Sequence, residues 1–377
     1  MKNIVVMGST GSIGVQSLDV ILQNKSQRVV GLSCYSNADL LAEQVVKHLP
    51  NFVAIDVINH SHHLYEICKK NNIKLITGKN ASSLIPFDNL DLAINAIVGT
   101  AGLSPTIELI NNGVDIALSN KESLVLGGHI IIPLAQKKNV NIIPVDSEHS
   151  AIFQCLNGEN PQDIKKIILT GSGGPFLNRP IDEFKSVTPE EALKHPNWEM
   201  GSKISIDSAT MMNKALELVE AMWLFNINID QIEIVVHPQS IIHSMIEFVD
   251  GSYKAHLGIP DMKVPIQYAL TFPKRNLSGV QSLNFKNLSM EFQHPDKKRY
   301  PILAYVEKLL LLGGNRVAVM SMANDYVVQK FLDRKISFND IFPSVKKVVE
   351  KFASDNLPTL EELFILDKNI NLYLNSD

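Results

Sequence analysis

Cysteine is scarce in this chain: Cys34, Cys68 and Cys155 are the three it has. They are too few and too scattered for a disulfide framework or a thiolate zinc site, which favours a reducing compartment. A long apolar run is missing as well. The stretch 130–135 falls far short of the ~18 residues that a membrane span needs. Charge of one sign is never massed. Thirty-five basic and 39 acidic residues leave a formal net charge of −4, without the basic excess or stripe of a nucleic-acid or membrane-surface binder. No basic segment followed by an apolar stretch precedes the first strand-like run, so no secretory leader and a cytoplasmic location are expected. Internal repeats and low-complexity tracts are also lacking.

What is present is a globular composition, 45% hydrophobic and 20% charged over 377 residues. That length accommodates two or three domains with sizeable cores. Up to residue 145, short β-branched runs at 4–7, 28–33, 52–55, 74–77, 90–95, 115–118 and 141–145 alternate with longer helical periods. Alternation of this kind makes βαβ units and a parallel, doubly wound sheet, so the fold class is α/β with a first domain at 1–145. Residues 146–271 read as a central α+β domain, with strands at 166–169, 233–236, 240–249 and 254–257 and a long helix from 208 to 225. The Asn-, Pro-, Lys- and Ser-rich stretch 272–300 reads as a connecting segment, and 301–377 as a C-terminal bundle of four helices.

Gly8-Ser9-Thr10-Gly11-Ser12-Ile13-Gly14 follows the first strand and opens a helix. It is a G-x-x-G-x-x-G variant of the dinucleotide fingerprint, whose glycines allow a tight turn and leave helix-start N–H groups for a pyrophosphate. A purely structural glycine turn is the alternative; the strand–loop–helix setting favours a Rossmann-like nucleotide site. Past the second strand, Ser33-Cys34-Tyr35-Ser36-Asn37 lacks the acid that grips a ribose 2′-hydroxyl. That omission favours NADP over NAD, although no basic residue stands there either.

Asp146 and Glu148 are two residues apart just past a strand, and in an extended segment both would point the same way. Asn213, Lys214 and Glu217 share one helix face at i, i+1 and i+4. A solvated loop and a surface ion pair are the ordinary explanations. Oxygen ligands of this kind would select Mg²⁺ or Mn²⁺ rather than zinc. Two serine-bearing spots suit a phosphate: Gly171-Ser172-Gly173-Gly174, where backbone N–H groups are exposed, and Asp207-Ser208-Ala209-Thr210, read as the start of the long helix. A glycine turn and a plain N-cap explain them equally well. His195-Pro196-Asn197-Trp198-Glu199-Met200-Gly201 places an indole in a loop, where it covers a ligand or packs in a core. His149 and His243 either orient neighbours or are satisfied structural histidines; Cys155 reads as a small core residue. His60, His62 and His63 read as a solvated helix start rather than a metal cluster.

The segments 8–14, 120–122 (Asn120-Lys121-Glu122), 145–151, 171–176, 195–214 and 236–245 together resemble the motif set of the 1-deoxy-D-xylulose 5-phosphate reductoisomerase family, in order over about 270 residues. One departure is visible: the family often carries a basic residue where Tyr35-Ser36 stand. The resemblance implies an NADPH-dependent homodimeric enzyme of isoprenoid precursor synthesis that rearranges and reduces a sugar phosphate. It further implies a divalent metal, Mg²⁺ or Mn²⁺ with Co²⁺ as a further candidate, on Asp146, Glu148 and Glu217. By the same resemblance Thr10, Gly11, Ser12, Ile13, Asn37, Asn120, Glu122 and Gly201 touch the cofactor. Lys121, Ser147, Ser172, His195, Trp198, Ser208, Asn213 and Lys214 contact the substrate, with Lys121, Glu148, His195 and Lys214 catalytic and the loop at 195–201 closing over the site. Two other readings stay open. A semialdehyde-type dehydrogenase also uses such a glycine loop, but Cys155 lacks the setting of its catalytic thiol. A nucleotide-sensing protein would have little use for metal carboxylates, and metal-dependent turnover separates it.

Overall fold

Each strand expected in the first 145 residues forms, because each is a short β-branched run bounded by turns that cannot extend it. The computed structural model describes residues 1–24, 26–57 and 62–376; His60 lies outside them. β1 (Lys2–Met7), β2 (Gln27–Cys34), β3 (Phe52–Ile55), β4 (Lys74–Thr77), β5 (Leu92–Asn95), β6 (Asp115–Leu118) and β7 (Ile142–Pro144) make one sheet in the order β4-β3-β2-β1-β5-β6-β7. All its pairings are parallel. A parallel sheet covered on both faces needs continuous apolar strands, and Ile4, Val5, Val6 and Met7 are each fully buried. The crossovers carry α1 (Ser12–Gln23), α2 (Ala38–His48), α3 (His62–Lys70), α4 (Leu103–Asn111) and α5 (Lys121–Lys138). The strand order reverses between β1 and β5, and open sheets of this kind take ligands at that switch point.

After α6 (Ser147–Leu156) a second sheet forms from β8 (Ile164–Gly171), with α7 (Pro189–Ala192), α8 (Ser202–Thr210) and α9 (Met212–Phe225) preceding β9 (Ile232–Val236), β10 (Ile242–Phe248) and β11 (Tyr253–Leu257). Its order is β11-β10-β8-β9, with β8 and β9 parallel and the other pairs antiparallel. Ile152, Ile167, Leu169, Leu218, Ile246 and Phe248 form its core, joined by Cys155 as a small buried residue. The helix expected from 208 to 225 is two helices. Met211 takes φ +61° and ends α8, so Ser208 stands near a helix C-terminus, and the N-terminus belongs to α9.

The chain divides into one unit of residues 1–123, 131–147 and 262–280 and another of 124–130, 148–261 and 281–377. The expected boundary at 271 is therefore displaced. α10 (Lys263–Thr271) buries Ile266, Ala269 and Leu270 within the first unit, where Gln27 Nε2 donates to the Leu270 carbonyl at 3.1 Å. The four C-terminal helices appear as α11 (Pro301–Leu312), α12 (Arg316–Leu332), α13 (Ile341–Phe352) and α14 (Leu360–Asn375), but they share a unit with the second sheet. A buried hydrogen bond from Asn324 of α12 to Asp207 of α8, at 2.7 Å, is one physical reason.

Candidate active site

In the first unit the glycine turn after β1 is shaped by close backbone approach. Gly8 has φ +74°, and a Cβ on it would lie 2.6 Å from the Ala96 carbonyl oxygen; one on Gly14 would lie 2.3 Å from that of Gly8. Neither position tolerates a larger residue. Gln44 of α2, which the sequence did not single out, clamps the turn: its Nε2 donates to the Ser9 carbonyl at 2.8 Å and its Oε1 accepts from Ser9 Oγ at 2.7 Å. A cleft of about 280 Å³ opens here, lined by Gly8, Thr10, Gly11, Tyr35, Asp56 and Ile97 among others. Ser12 and Ile13 open α1. Asn37 caps α2, accepting from the Leu40 N–H at 3.2 Å. No carboxylate stands at the end of β2. Asp56, one strand over, was also missed, and its carboxylate is held by the Asn80 and Ala81 N–H groups at 2.8 and 3.1 Å. Burial pushes the Cys34 thiol up to about 11, which keeps it a protonated wall group.

Asn120 is the N-cap of α5, accepting from the Ser123 N–H at 2.9 Å. Its amide donates to the Gly99 carbonyl and to Glu122 Oε2, each at 3.0 Å. Lys121 Nζ lies 2.5 Å from Asp146 Oδ2, and both side chains are more than nine-tenths buried. The extended geometry expected to align Asp146 with Glu148 stops at Pro144, since α6 begins at Ser147. Asp146 leaves the chain at a bend and Glu148 in the first turn of a helix.

In the second unit the α9 triplet forms as its spacing implies, and it is buried rather than superficial. Lys214 Nζ bonds Glu217 Oε2 and lies 3.3 Å from Glu148 Oε1; Asn213 Nδ2 donates to Glu217 Oε1. Glu217 is fully buried, and its backbone carbonyl accepts from His149 Nε2 at 2.9 Å. His149 thus orients a neighbour, with its ring stacked on Phe225. Lys214 runs beside the next feature: a Cβ on Gly171 would lie 3.0 Å from its Cε. Ser172 Oγ there accepts from the Gly174 N–H at 3.1 Å and meets His195 Nε2 at 3.0 Å. His195 Nδ1 accepts from the backbone N–H groups of Asn197 and Trp198 at 3.2 and 3.0 Å, so the ring proton sits on Nε2 and points at Ser172. Burial holds this imidazole down at about 4. Ser208 faces the same loop, because a Cβ on Gly174 would lie 2.7 Å from the Ser208 carbonyl oxygen.

The segment 195–201 is a loop, as expected, and it is anchored. Asn197 Nδ2 donates to the Pro238 carbonyl at 2.7 Å and to Ser240 Oγ at 2.8 Å. Trp198 is half-buried, its ring 5.9 Å from that of His243, and Gly201 caps α8. Among the described residues no helix is long and apolar enough to cross a membrane. A doubly wound sheet with a glycine turn at its switch point, together with a unit carrying Glu148, Glu217, the buried Lys214 and a serine loop, is the framework of a nucleotide-dependent enzyme.

Within that class the chain belongs to the 1-deoxy-D-xylulose 5-phosphate reductoisomerase family. The family model of that description matches residues 4–128, and two models of reductoisomerase C-terminal domains match 142–225 and 257–372. The chain is 45% identical over 377 residues to the reductoisomerase of Chloroherpeton thalassium, covering 99% of this chain and 97% of the relative. To that of Thermoanaerobacter pseudethanolicus it is 43% identical over 374 residues, covering 98% and 97%. A crystal structure of DOX-P reductoisomerase in complex with NADPH, fosmidomycin and magnesium aligns with TM-score 0.93 and 36% identity, covering 100% of this chain and 98% of that one. The reductoisomerase from Zymomonas mobilis in complex with NADPH aligns at 0.91 and 40%, with the same coverage.

Proposed function

We propose that this chain converts 1-deoxy-D-xylulose 5-phosphate to 2-C-methyl-D-erythritol 4-phosphate, with one NADPH and one proton consumed per turnover, in isoprenoid precursor biosynthesis. The observation that carries this reading is full-length likeness to relatives of that name. The site's chemistry supports it. Asp146, Glu148 and Glu217 would hold a divalent metal. The donor set suits a hard cation, being all oxygen, and Glu148 and Glu217 already converge on one cation, the Lys214 ammonium. When bound, the metal supplies Lewis acidity toward the substrate's carbonyl and hydroxyl oxygens, and NADPH supplies the hydride.

Ser172, Ser208, Asn213 and Lys214 would anchor the phosphate, with the Lys214 charge set against it. Lys121 and Ser147 would bind the oxygens of the carbon skeleton, and Lys121 Nζ is held by Asp146 to do so. His195 Nε2–H would hold Ser172 Oγ in place. Trp198 would cover the carbon chain and exclude water as the loop closes. Thr10, Gly11, Ser12 and Ile13 would take the pyrophosphate, with Asn37, Asn120, Glu122 and Gly201 completing the cofactor's contacts. The lack of an acid past β2 supports NADPH over NADH. A homodimer in the cytoplasm completes the reading. β11 is a sheet edge with Tyr253 and Leu257 exposed, a surface that natural proteins commonly cover. Incubating the purified chain with substrate, NADPH and Mg²⁺ and identifying the product by NMR tests the reaction; a reduced but unbranched product would refute it. Light scattering at assay concentration tests the dimer, and a monomer mass would remove it.

A further inference from the structure

The segment between α10 and α11 was expected to be a connection, yet its end is buried on the serine loop. Tyr300 is 1% exposed, and its hydroxyl donates to the Gly173 carbonyl at 2.6 Å. Arg299 beside it donates to the Phe176 and Arg179 carbonyls at 2.8 and 2.6 Å, with its guanidinium over the Phe184 ring. Upstream, Gln293 and Val236 exchange backbone hydrogen bonds of 2.8 and 2.9 Å. His237 Nδ1 donates to the Glu291 carbonyl at 2.8 Å, while its backbone N–H donates to that of Gly171 at 2.7 Å. The strap therefore holds both ends of the loop that carries Ser172.

The middle of that loop needs an external hold. Gly173 and Gly174 take φ +83° and +70° and have no side chains with which to fix themselves. The Gly173 carbonyl lies between Ser172, whose Oγ accepts from the Gly174 N–H, and the close contact of Gly174 with Ser208. Burial pushes the Tyr300 hydroxyl up to about 12, so it remains a donor throughout the working pH range.

We propose that Tyr300, assisted by Arg299, is a positioning residue for the phosphate anchor: by fixing the Gly173 carbonyl it sets the direction of Ser172 Oγ. This rests on the reading of Ser172 as a phosphate ligand. The test compares Tyr300→Phe, Ser172→Ala and the double variant in the full chain with NADPH and Mg²⁺. Losing the buried hydrogen bond should raise the sugar-phosphate KM about tenfold and leave kcat within about twofold. Inhibition by inorganic phosphate should weaken in parallel, and NADPH affinity should not change. The double variant should be no worse than Ser172→Ala alone. An unchanged KM in Tyr300→Phe, with Ser172→Ala impaired, would reduce Tyr300 to a packing residue. An unimpaired Ser172→Ala would overturn the phosphate reading itself and the proposal with it. If Tyr300→Phe fails to fold, Arg299→Lys must show the same rise in KM, and a wild-type value there overturns the proposal.

Discussion

Lys214 and Glu217 show how a residue pattern becomes a buried ion pair. Spaced three apart on α9, both are buried, and a lone buried carboxylate would shed its charge rather than stay ionised. The Lys214 ammonium is the partner that Glu217 has in that buried position. With Glu217 read as a metal ligand, Glu217→Gln should raise the metal dissociation constant by at least ~10-fold and lower kcat, leaving the fold intact because His149 bonds the backbone carbonyl. Calorimetric Mn²⁺ titration checks this, and an unchanged metal affinity would remove Glu217 from the site. His195 gives a pH prediction. Its folded value of about 4 lies below the ordinary 6.5, so between those values the unfolded chain takes a proton that the folded chain refuses. The stability due to neutral His195 is complete above 6.5 and is lost as pH falls toward 4. His195→Gln should flatten part of that acid loss in urea melts run from pH 7 to 4; an unaltered slope would mean that His195 is protonated in the fold. The spacing of Asn213, Lys214 and Glu217 was legible in sequence because a helix face is local. The pairing of His195 with Ser172 was not, since they lie 23 positions apart with α7 between them.

Among elements, strands were the most legible and helix ends the least. Residues 4–7 of β1 and 52–55 of β3 are continuous apolar runs, which report burial on both faces. The break at Met211 left no trace, because no glycine or proline marks it and the helical period runs through it. Met211 is buried in that left-handed conformation. The helix start supposed at Ser208 is therefore a helix end. The glycine turn yields a sharper expectation. Gly14→Ala sets a methyl against the Gly8 carbonyl and Ser9 backbone, so NADPH affinity should fall about tenfold or more. Fluorescence titration with NADPH measures it, and wild-type binding would mean that the turn does not hold the cofactor. The loop at 195–201 should act as a lid. Trp198 is half-buried rather than in a core, so Trp198→Ala should cut activity while moving the melting temperature little. A loss near the ~3–5 kcal/mol of a core aromatic would make Trp198 a packing residue instead.

At the scale of the whole molecule, the α/β class and the order of the motifs were legible, and the partition of the chain was not. Residues 262–280 return to the first unit, and the C-terminal helices join the second, through contacts such as Gln27 with Leu270 and Asn324 with Asp207. Neither contact leaves a local signature, because each links segments more than one hundred residues apart. The chain as a unit is held to one reaction that needs a phosphorylated ketose, NADPH and a divalent ion together. Loss of NADPH absorbance, followed with 1-deoxy-D-xylulose 5-phosphate before and after chelation of metal, tests that most directly. One NADPH should be consumed per 2-C-methyl-D-erythritol 4-phosphate formed, activity should vanish with chelator, and Mg²⁺ or Mn²⁺ should restore it. Oxidation that proceeds unchanged in the metal-free protein, or none with metal, cofactor and sugar phosphate all present, would contradict the account.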